Sequence, residues 1–543
     1  MHRSFALACL ALAGLFSAPA SAQQNEIPGT DVSLGILQEL VQQGHQGPFP
    51  SGVTAVSMST TSCNLGSVNV PWFATMDEDH PFIAFLLARE DDSGRFVQIS
   101  DRSNVKHGFF ALSNSQCIPC VNPVFAGNFL GVGCSDTYST FNNAFNFELG
   151  PADEINPWLG TWDAECSFFD LGLNPGPGAV CDGNRSFTFG QSNNLGPLGF
   201  RVIVRDEDLN ASNDPTFWYS SQYVVRGEPE ANRTNNLGSR RFVPTWNGNQ
   251  WNFQIGAQLL EGSLLQRWED ATVTSEKNGM DDGRVYVGVK VTGPVDGLWH
   301  YEYALHNRDN ARGIDGLTVP VCAQAGIQNF GFRDIDNAIG NNWSATLNGG
   351  SVEVDGEGNA LRWNSIYNFW FDSPAAPVSG AITLDVADLG PGADQFAVPT
   401  TVPGVANFVA TGPGCSATTP GTLRTNGLAA LGDPNFAILG TGVAAGSPSL
   451  VYASAVAGSL PLGSCTVSLG GLPGTDIFLL GSVVSDAAGE FTLPVPVPAN
   501  PALEGVTLET QGIVITGPGG PLLDVAELTD GMRFVFGTPT DCL

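Results

Sequence analysis

The sequence predicts a mainly β protein, a multi-domain antiparallel β-sandwich architecture with one short N-terminal helix. Three observations carry this. Apolar and polar residues alternate with a period of two in short runs, most cleanly over 284–291 (RVYVGVKV) and 298–305. Turn-forming clusters separate the runs, among them Asp91-Asp92-Ser93-Gly94, Asn278-Gly279, Asp282-Gly283 and Asn348-Gly349-Gly350. The 66 Gly and 36 Pro in 543 residues punctuate the chain, yet stay below the roughly 25–30% that marks low complexity. With 42% hydrophobic and 10% aromatic residues, large cores can form.

The elements follow in order. Residues 1–22 read as a secretory signal peptide: Arg3 gives a basic start, 5–16 are apolar, and Ala20-Ser21-Ala22 offer small residues for cleavage. The apolar run is too short to span a membrane. Asp31, then Val32, Leu34, Ile36, Leu37, Leu40 and Val41, then Gly44, read as the short amphipathic helix with its N-cap and glycine stop. Strands are expected at 202–204, 219–225, 284–291, 298–305, 381–386, 477–480 and 491–497. All eleven tryptophans lie between Trp72 and Trp370, and beyond residue 401 the only basic residues are Arg424 and Arg533. The expected units are an aromatic-rich, Cys-rich domain over 23–265 and a second sandwich-like domain over 266–393. A linker over 394–408 and a C-terminal β-sandwich over 409–543 complete the chain.

Charge and motifs exclude several functions. The net charge is −31, and 14% of residues are charged, against roughly 25% in an ordinary soluble domain. Binding nucleic acid through its phosphates needs basic patches that are missing here. The three lysines, Lys106, Lys277 and Lys290, none after a glycine, leave no Walker-type loop. Neither a Gly-x-Ser-x-Gly elbow nor a His-Glu-x-x-His helix occurs. With Cys9 in the leader, ten cysteines remain, an even number that favours up to five disulfides in an oxidising compartment. Cys166 and Cys181, which enclose a Gly/Pro-rich loop, are a natural pair.

Ser62-Cys63-Asn64-Leu65-Gly66, Pro71-Trp72-Phe73, His80-Pro81 and Lys106-His107-Gly108-Phe109-Phe110 form one set of motifs. Cys117-Ile118-Pro119-Cys120, Asp206-Glu207-Asp208-Leu209 and His300-Tyr301-Glu302-Tyr303 extend it. Over about 30–390 the chain thereby resembles a family of secreted proteins of unknown function from environmental bacteria. From Gly412-Pro413-Gly414-Cys415 to Met532-Arg533-Phe534 it is similar to a β-sandwich module appended to secreted proteins of such bacteria. The resemblance implies secretion and this layout, and no catalytic residue.

Four clusters are candidate sites. Asp206, Asp208, Asn210 and Asp214 crowd one loop, and Asp334 with Asp336 another, the oxygen-rich chemistry that calcium requires. The EF-hand pattern fails, with Ala211 where Gly is needed and Phe217 where Glu is needed. His300 and Glu302 share one strand face about 7 Å apart and need partners from another strand, whereas His306 lies too far from His300 to be a co-ligand. Lys106-His107 is a candidate acid–base pair. His107 with Cys117, Cys120 and Cys134 has zinc-like spacing, with disulfides the competing reading. Trp218, Tyr219, Trp246 and Trp251, set among amides, suggest a sugar-stacking surface. The expectation is a secreted protein that binds an extracellular ligand, a polysaccharide or cell-surface polymer, with structural calcium. The alternatives are an extracellular metal-dependent or glycoside-active enzyme, with Lys106, His107, His300 and Glu302 as catalytic candidates, and a purely structural surface component.

Overall fold

A computed structural model describes residues 26–537, apart from 122–126, 212–214, 280–281, 296–297, 322–326, 337, 357, 374, 376, 405–407, 418, 427–428 and 464. The expected leader, Asp214, Cys322 and Cys542 lie outside the described residues. The architecture is antiparallel β throughout, and the α-helices among the described residues are single turns, such as Thr140–Asn143 and Phe189–Asn193.

In the first body a sheet of Val32–Gln46, Val53–Asn64 and Val202–Arg205, with Ser135–Tyr138, faces a larger sheet. The larger sheet runs in the order Trp251–Ile255, Leu237–Trp246, Thr216–Val224, Phe82–Glu90, Val105–His107 and Leu149–Gly150. Leu34, Leu37, Leu40, Val56 and Met58 of one sheet meet Ile83, Phe85, Leu87, Tyr219 and Tyr223 of the other. Phe82–Glu90 is buried on both faces. Ile83, Phe85 and Leu87 enter this core, and Leu86 and Ala88 enter the contact with the next body. A strand covered on both sides reads as a continuous apolar run, as FIAFLLA does.

The expected helix at Asp31–Gly44 is instead the strand Val32–Gln46. Its pairing with Val53–Asn64 shifts register between Leu34/Ile36, Gln38/Leu40 and Gln42/Gly44. Each bulge adds one residue to the two-residue strand repeat. Inward positions therefore recur every third residue, at Leu34, Leu37 and Leu40, and imitate a helical stripe. Glu39, the extra residue of the second bulge, has φ of +26°. Gly35, the extra residue of the first, leaves room for the sulfur atoms of Cys63 and Cys117.

In the second body two five-stranded sheets face one another. One runs Thr272–Lys277, Arg284–Val295, Leu298–Asn307, Ser365–Ser373, Gln328–Arg333. The other runs Ser344–Asn348, Ser351–Asp355, Ile314–Pro320, Pro377–Val386, Gln395–Pro403. Most of the expected 394–408 linker is thus a strand, paired from Pro377↔Pro403 to Asp385↔Gln395. Val398, Thr400 and Val402 point inward, and its prolines are tolerated because it ends its sheet.

The first two bodies share one buried seam. Leu86, Phe96 and Trp218 of the first pack on Leu264, Trp268, Tyr286, Ala304 and Ile366. Asn364 and Asn368 donate to the carbonyls of Phe85 and Phe96, each at 3.0 Å, and Gln98 accepts from the Ile366 amide at 2.8 Å.

The third body pairs the sheet Val409–Gly412, Gly531–Val535, Thr507–Gly520, Pro448–Ser454, Ile477–Val484 with a smaller sheet of Thr422–Thr425, Ala437–Thr441 and Phe491–Pro494. Phe436, Ile438, Val451 and Phe534 fill the space between them.

Candidate functional site

Cysteine chemistry resolves first. Four disulfides are present among the described residues: Cys63–Cys117, Cys120–Cys134, Cys166–Cys181 and Cys415–Cys465. The Cys166–Cys181 expectation is met. The zinc reading of Cys117, Cys120 and Cys134 is overturned, because their sulfurs are spent in these bonds.

Lys106 and His107 lie on Val105–His107, both fully buried. His80 Nε2 and His107 Nδ1 are 2.7 Å apart, and His80 Nδ1 is 2.5 Å from the Asp77 carbonyl oxygen. A carbonyl only accepts, so His80 Nδ1 carries the proton. Burial pushes His80 down to about 3, which keeps it neutral, so its Nε2 accepts from His107 Nδ1–H. His107, also held neutral by burial and by its neighbours His80 and Lys106, is left with a bare Nε2 that has no hydrogen-bond partner. That atom faces Gly150, where a Cβ would sit 2.7 Å away, within a ring of Phe82, Trp162 and Phe169. Lys106 donates to the His107 carbonyl and lies 3.4 Å above the Phe109 ring, and burial lowers its amine to about 7. The acid–base expectation fails on access, since the side chains that would react are sealed inside the core.

The acidic residues of the two loops expected to hold calcium have partners within the chain. Asp206 is fully buried and accepts from Thr54 Oγ1 at 2.7 Å and Trp251 Nε1 at 2.9 Å, with His45 Nε2 at 2.7 Å. Asp208 pairs with Arg89 at 3.3 Å and Arg333 at 3.5 Å. Asn210 is exposed and its backbone amide closes the turn on the Asp206 carbonyl at 2.8 Å. Asp334 accepts from the Asp336 amide at 3.0 Å and Asn359 at 2.8 Å, and Asp336 from the Ala338 amide at 2.5 Å. These carboxylates serve turns and ion pairs. Among the described residues no group of three or more His, Cys, Asp or Glu is placed to hold a metal ion.

The aromatic surface dissolves likewise. Trp218, Tyr219 and Trp251 are buried. Trp246 is half-buried, and Phe49 already stacks on it at 4.8 Å with rings 5° apart. Phe49 thus already occupies one face of Trp246.

His300 and Glu302 do gain partners from other strands. His300 Nδ1 is 2.7 Å from Asp372 Oδ1, and its Nε2 is 3.4 Å from Glu302 Oε2. Arg95, from the first body, donates to Glu302 Oε1 at 2.7 Å while lying 3.5 Å over Trp370. Asn329 donates to Asp372 at 2.6 Å. Glu302 and then Asp372 raise the imidazole above its ordinary pKa, against the opposing pull of burial. His306, buried and held near 3 by burial, contacts Ser263 Oγ at 2.8 Å and stands apart. Asp372 and Asn329 reach His300 through sheet pairing, and Arg95 reaches Glu302 across the contact between the two bodies.

An accessible groove of about 700 Å³ lies on the outer face of the Ile314–Pro320 sheet. Leu317 and Val319 point into the core, so Thr318 and Pro320 point out to the groove. By the same alternation Ala381 and Thr383 flank the inward Ile382. Small residues make the floor. Glu276, Asn348 and Ser351 stand along it, and Asn426, Ala430 and Asp433 of the third body close one side. Among the described residues neither lysine nor arginine lines it. The period-two pattern of 317–320 was the available signal, but nothing local links it to residues 426–433.

No family model and no curated protein matches the chain. Among solved structures it is similar to Escherichia coli alpha-2-macroglobulin activated by porcine elastase, at 7% identity and a TM-score of 0.14, over 95% of this chain and 41% of that one. It is similar also to Salmonella alpha-2-macroglobulin reacted with methylamine, at 8% identity and a TM-score of 0.15, over 95% of this chain and 33% of that one. The chain therefore spans well under half the length of these structures, and so loose a likeness assigns neither fold family nor activity.

Proposed function

We propose that this is a secreted binding protein whose groove on the Ile314–Pro320 sheet takes an extended, hydroxyl-rich, uncharged polymer, a polysaccharide or cell-surface glycan. The observation that carries the reading is the groove's lining. Thr318, Thr383, Ser351, Asn348 and Asn426 offer both donors and acceptors, and Glu276 and Asp433 offer acceptors for sugar hydroxyls. Its size falls within the usual range of ligand pockets. Carboxylates with no facing cation disfavour anionic polymers. The four disulfides suit an oxidising compartment, and among the described residues no helix is long and apolar enough to cross a membrane.

A glycan array, followed by titration calorimetry on the best neutral polysaccharide, tests this. Thr383→Trp fills the floor and Asp433→Ala removes a wall acceptor. Both should weaken binding at least tenfold while Trp246→Ala leaves it unchanged. Equal binding by wild type and Thr383→Trp would defeat the assignment.

A further inference from the structure

We infer that the free edge of the third body, the strand Ile477–Val484, is a self-association surface that pairs antiparallel with the same strand of a second copy. The inference is independent of the groove. Ile477–Val484 ends its sheet, hydrogen-bonded on one side to Pro448–Ser454. Beyond Ile477, whose amide and carbonyl bond to Leu472 and Gly474, no strand among the described residues pairs with its other edge, and such an edge demands a strand as partner.

The side chains lack the features that normally protect such an edge. The run IFLLGSVV contains neither a charge nor a proline. In the pairing with Pro448–Ser454, Tyr452 faces Leu479 and Val451 faces Gly481, so Leu480 is an extra residue that packs on the core. The bulge leaves Phe478 and Leu479 both outward, 45% and 50% exposed, and Val484 is 60% exposed. Leu460, Leu462 and Leu523 continue the apolar surface, beside a groove of about 240 Å³ lined by Val467, Leu469, Ile513 and Leu522. Patches of this kind on soluble proteins mark contacts.

Charge selects the occupant. The chain carries −31, so two copies repel over most of their surfaces. From 434 to 485 the only charged side chain is Asp476, and its carboxylate accepts the Leu472 amide at 2.8 Å. Asp486 and the exposed Asp524 lie at its margins, so two copies pairing through the strand itself set few like charges against one another. An uncharged apolar strand also complements itself about a two-fold axis, the usual symmetry of homodimers.

Sedimentation equilibrium of the disulfide-intact mature chain, across the micromolar range, reads the association. A monomer–dimer equilibrium is expected that tightens as salt screens the repulsion. The Phe478→Lys/Leu479→Lys double variant should weaken it at least tenfold, with an unchanged thermal transition, and Val243→Lys on the first body should leave it intact. Hydrogen exchange on the wild type supplies a measurement free of variants: amides within 478–484 should exchange more slowly in concentrated than in dilute protein. A wild type that stays monomeric, a dimer indifferent to the double variant, or amide exchange independent of concentration would each overturn the inference.

Discussion

Replacing Asp206 by alanine should destabilise the first body far more than replacing it by asparagine. The carboxylate is fully buried between the two sheets, with Thr54 and Trp251 both donating to Oδ1 and His45 beside Oδ2. Alanine strands two buried donors, at about 1–3 kcal/mol each, so the loss should be about 3–5 kcal/mol. Asparagine keeps Oδ1 for both donors and presents its amide to His45 Nε2, which accepts once the ring proton sits on Nδ1. That swap should cost about 1 kcal/mol or less. Tryptophan emission is the suitable probe, because all eleven tryptophans lie between Trp72 and Trp370 and the third body is silent. Urea titrations followed at that wavelength should separate the two variants by at least about 2 kcal/mol. Equal losses in both variants, or a loss below about 1 kcal/mol for alanine, would refute the bonding described for Asp206.

Four further outcomes are expected. Asp101 accepts the Ile203 amide at 2.8 Å, and burial raises its carboxyl to about 7. The folded chain thus keeps a proton that the unfolded chain loses near pH 4, a contribution present below that value and lost as pH rises through 7. Relative to wild type, Asp101→Asn should gain up to about 1.4 kcal/mol per pH unit between about pH 4 and 7, and a flat difference would sink this. Asp372→Asn should lower the His300 midpoint in an NMR titration, and an unmoved midpoint would separate the two residues. A methyl at Gly150 would sit 2.7 Å from His107 Nε2 and 2.9 Å from Phe169 Cε2, so Gly150→Ala should cost about 1–3 kcal/mol in the same urea assay. Denatured, unreduced mature protein should show at most two free thiols, from Cys322 and Cys542, and three or more would contradict the four disulfides.

Strands were legible where the period of two survives, as at Arg284–Val295 and Leu298–Asn307, whose alternate residues enter the core and the seam. They were illegible where another rule overlays that period. Three bulges turned Val32–Gln46 into an apparent helical stripe, and prolines at 399 and 403 disguised an edge strand as a linker. The sites were harder, because side-chain chemistry is readable but its partners are not. The acidic loop at Asp206 has the composition of a cation site. Its destination was decided by Thr54 and Trp251, 152 and 45 residues away. His300 and Glu302 were placed correctly on one face, yet Arg95 stands 207 residues from Glu302 and belongs to another body.

The scarce cations tie the first two bodies together and bear on the character of the groove. Arg95–Glu302, Lys290–Glu90, Arg233–Asp309, Lys277–Glu230 and Arg284–Glu230 all cross the seam between them. Each pair is at least partly withdrawn from water, so removing one partner would leave a poorly solvated charge, which costs more than losing an exposed pair. Two of the three lysines are committed there, and the third, Lys106, is buried over Phe109. With its lysines and many of its arginines held in internal ion pairs or buried, the chain presents mostly carboxylates, amides and hydroxyls to its surroundings. An anionic ligand would meet uncompensated negative charge along the groove. A neutral polymer would meet donors and acceptors whose desolvation its own hydroxyls can repay, which is why the acidity of the sequence favours an uncharged polymer as the ligand proposed for the groove.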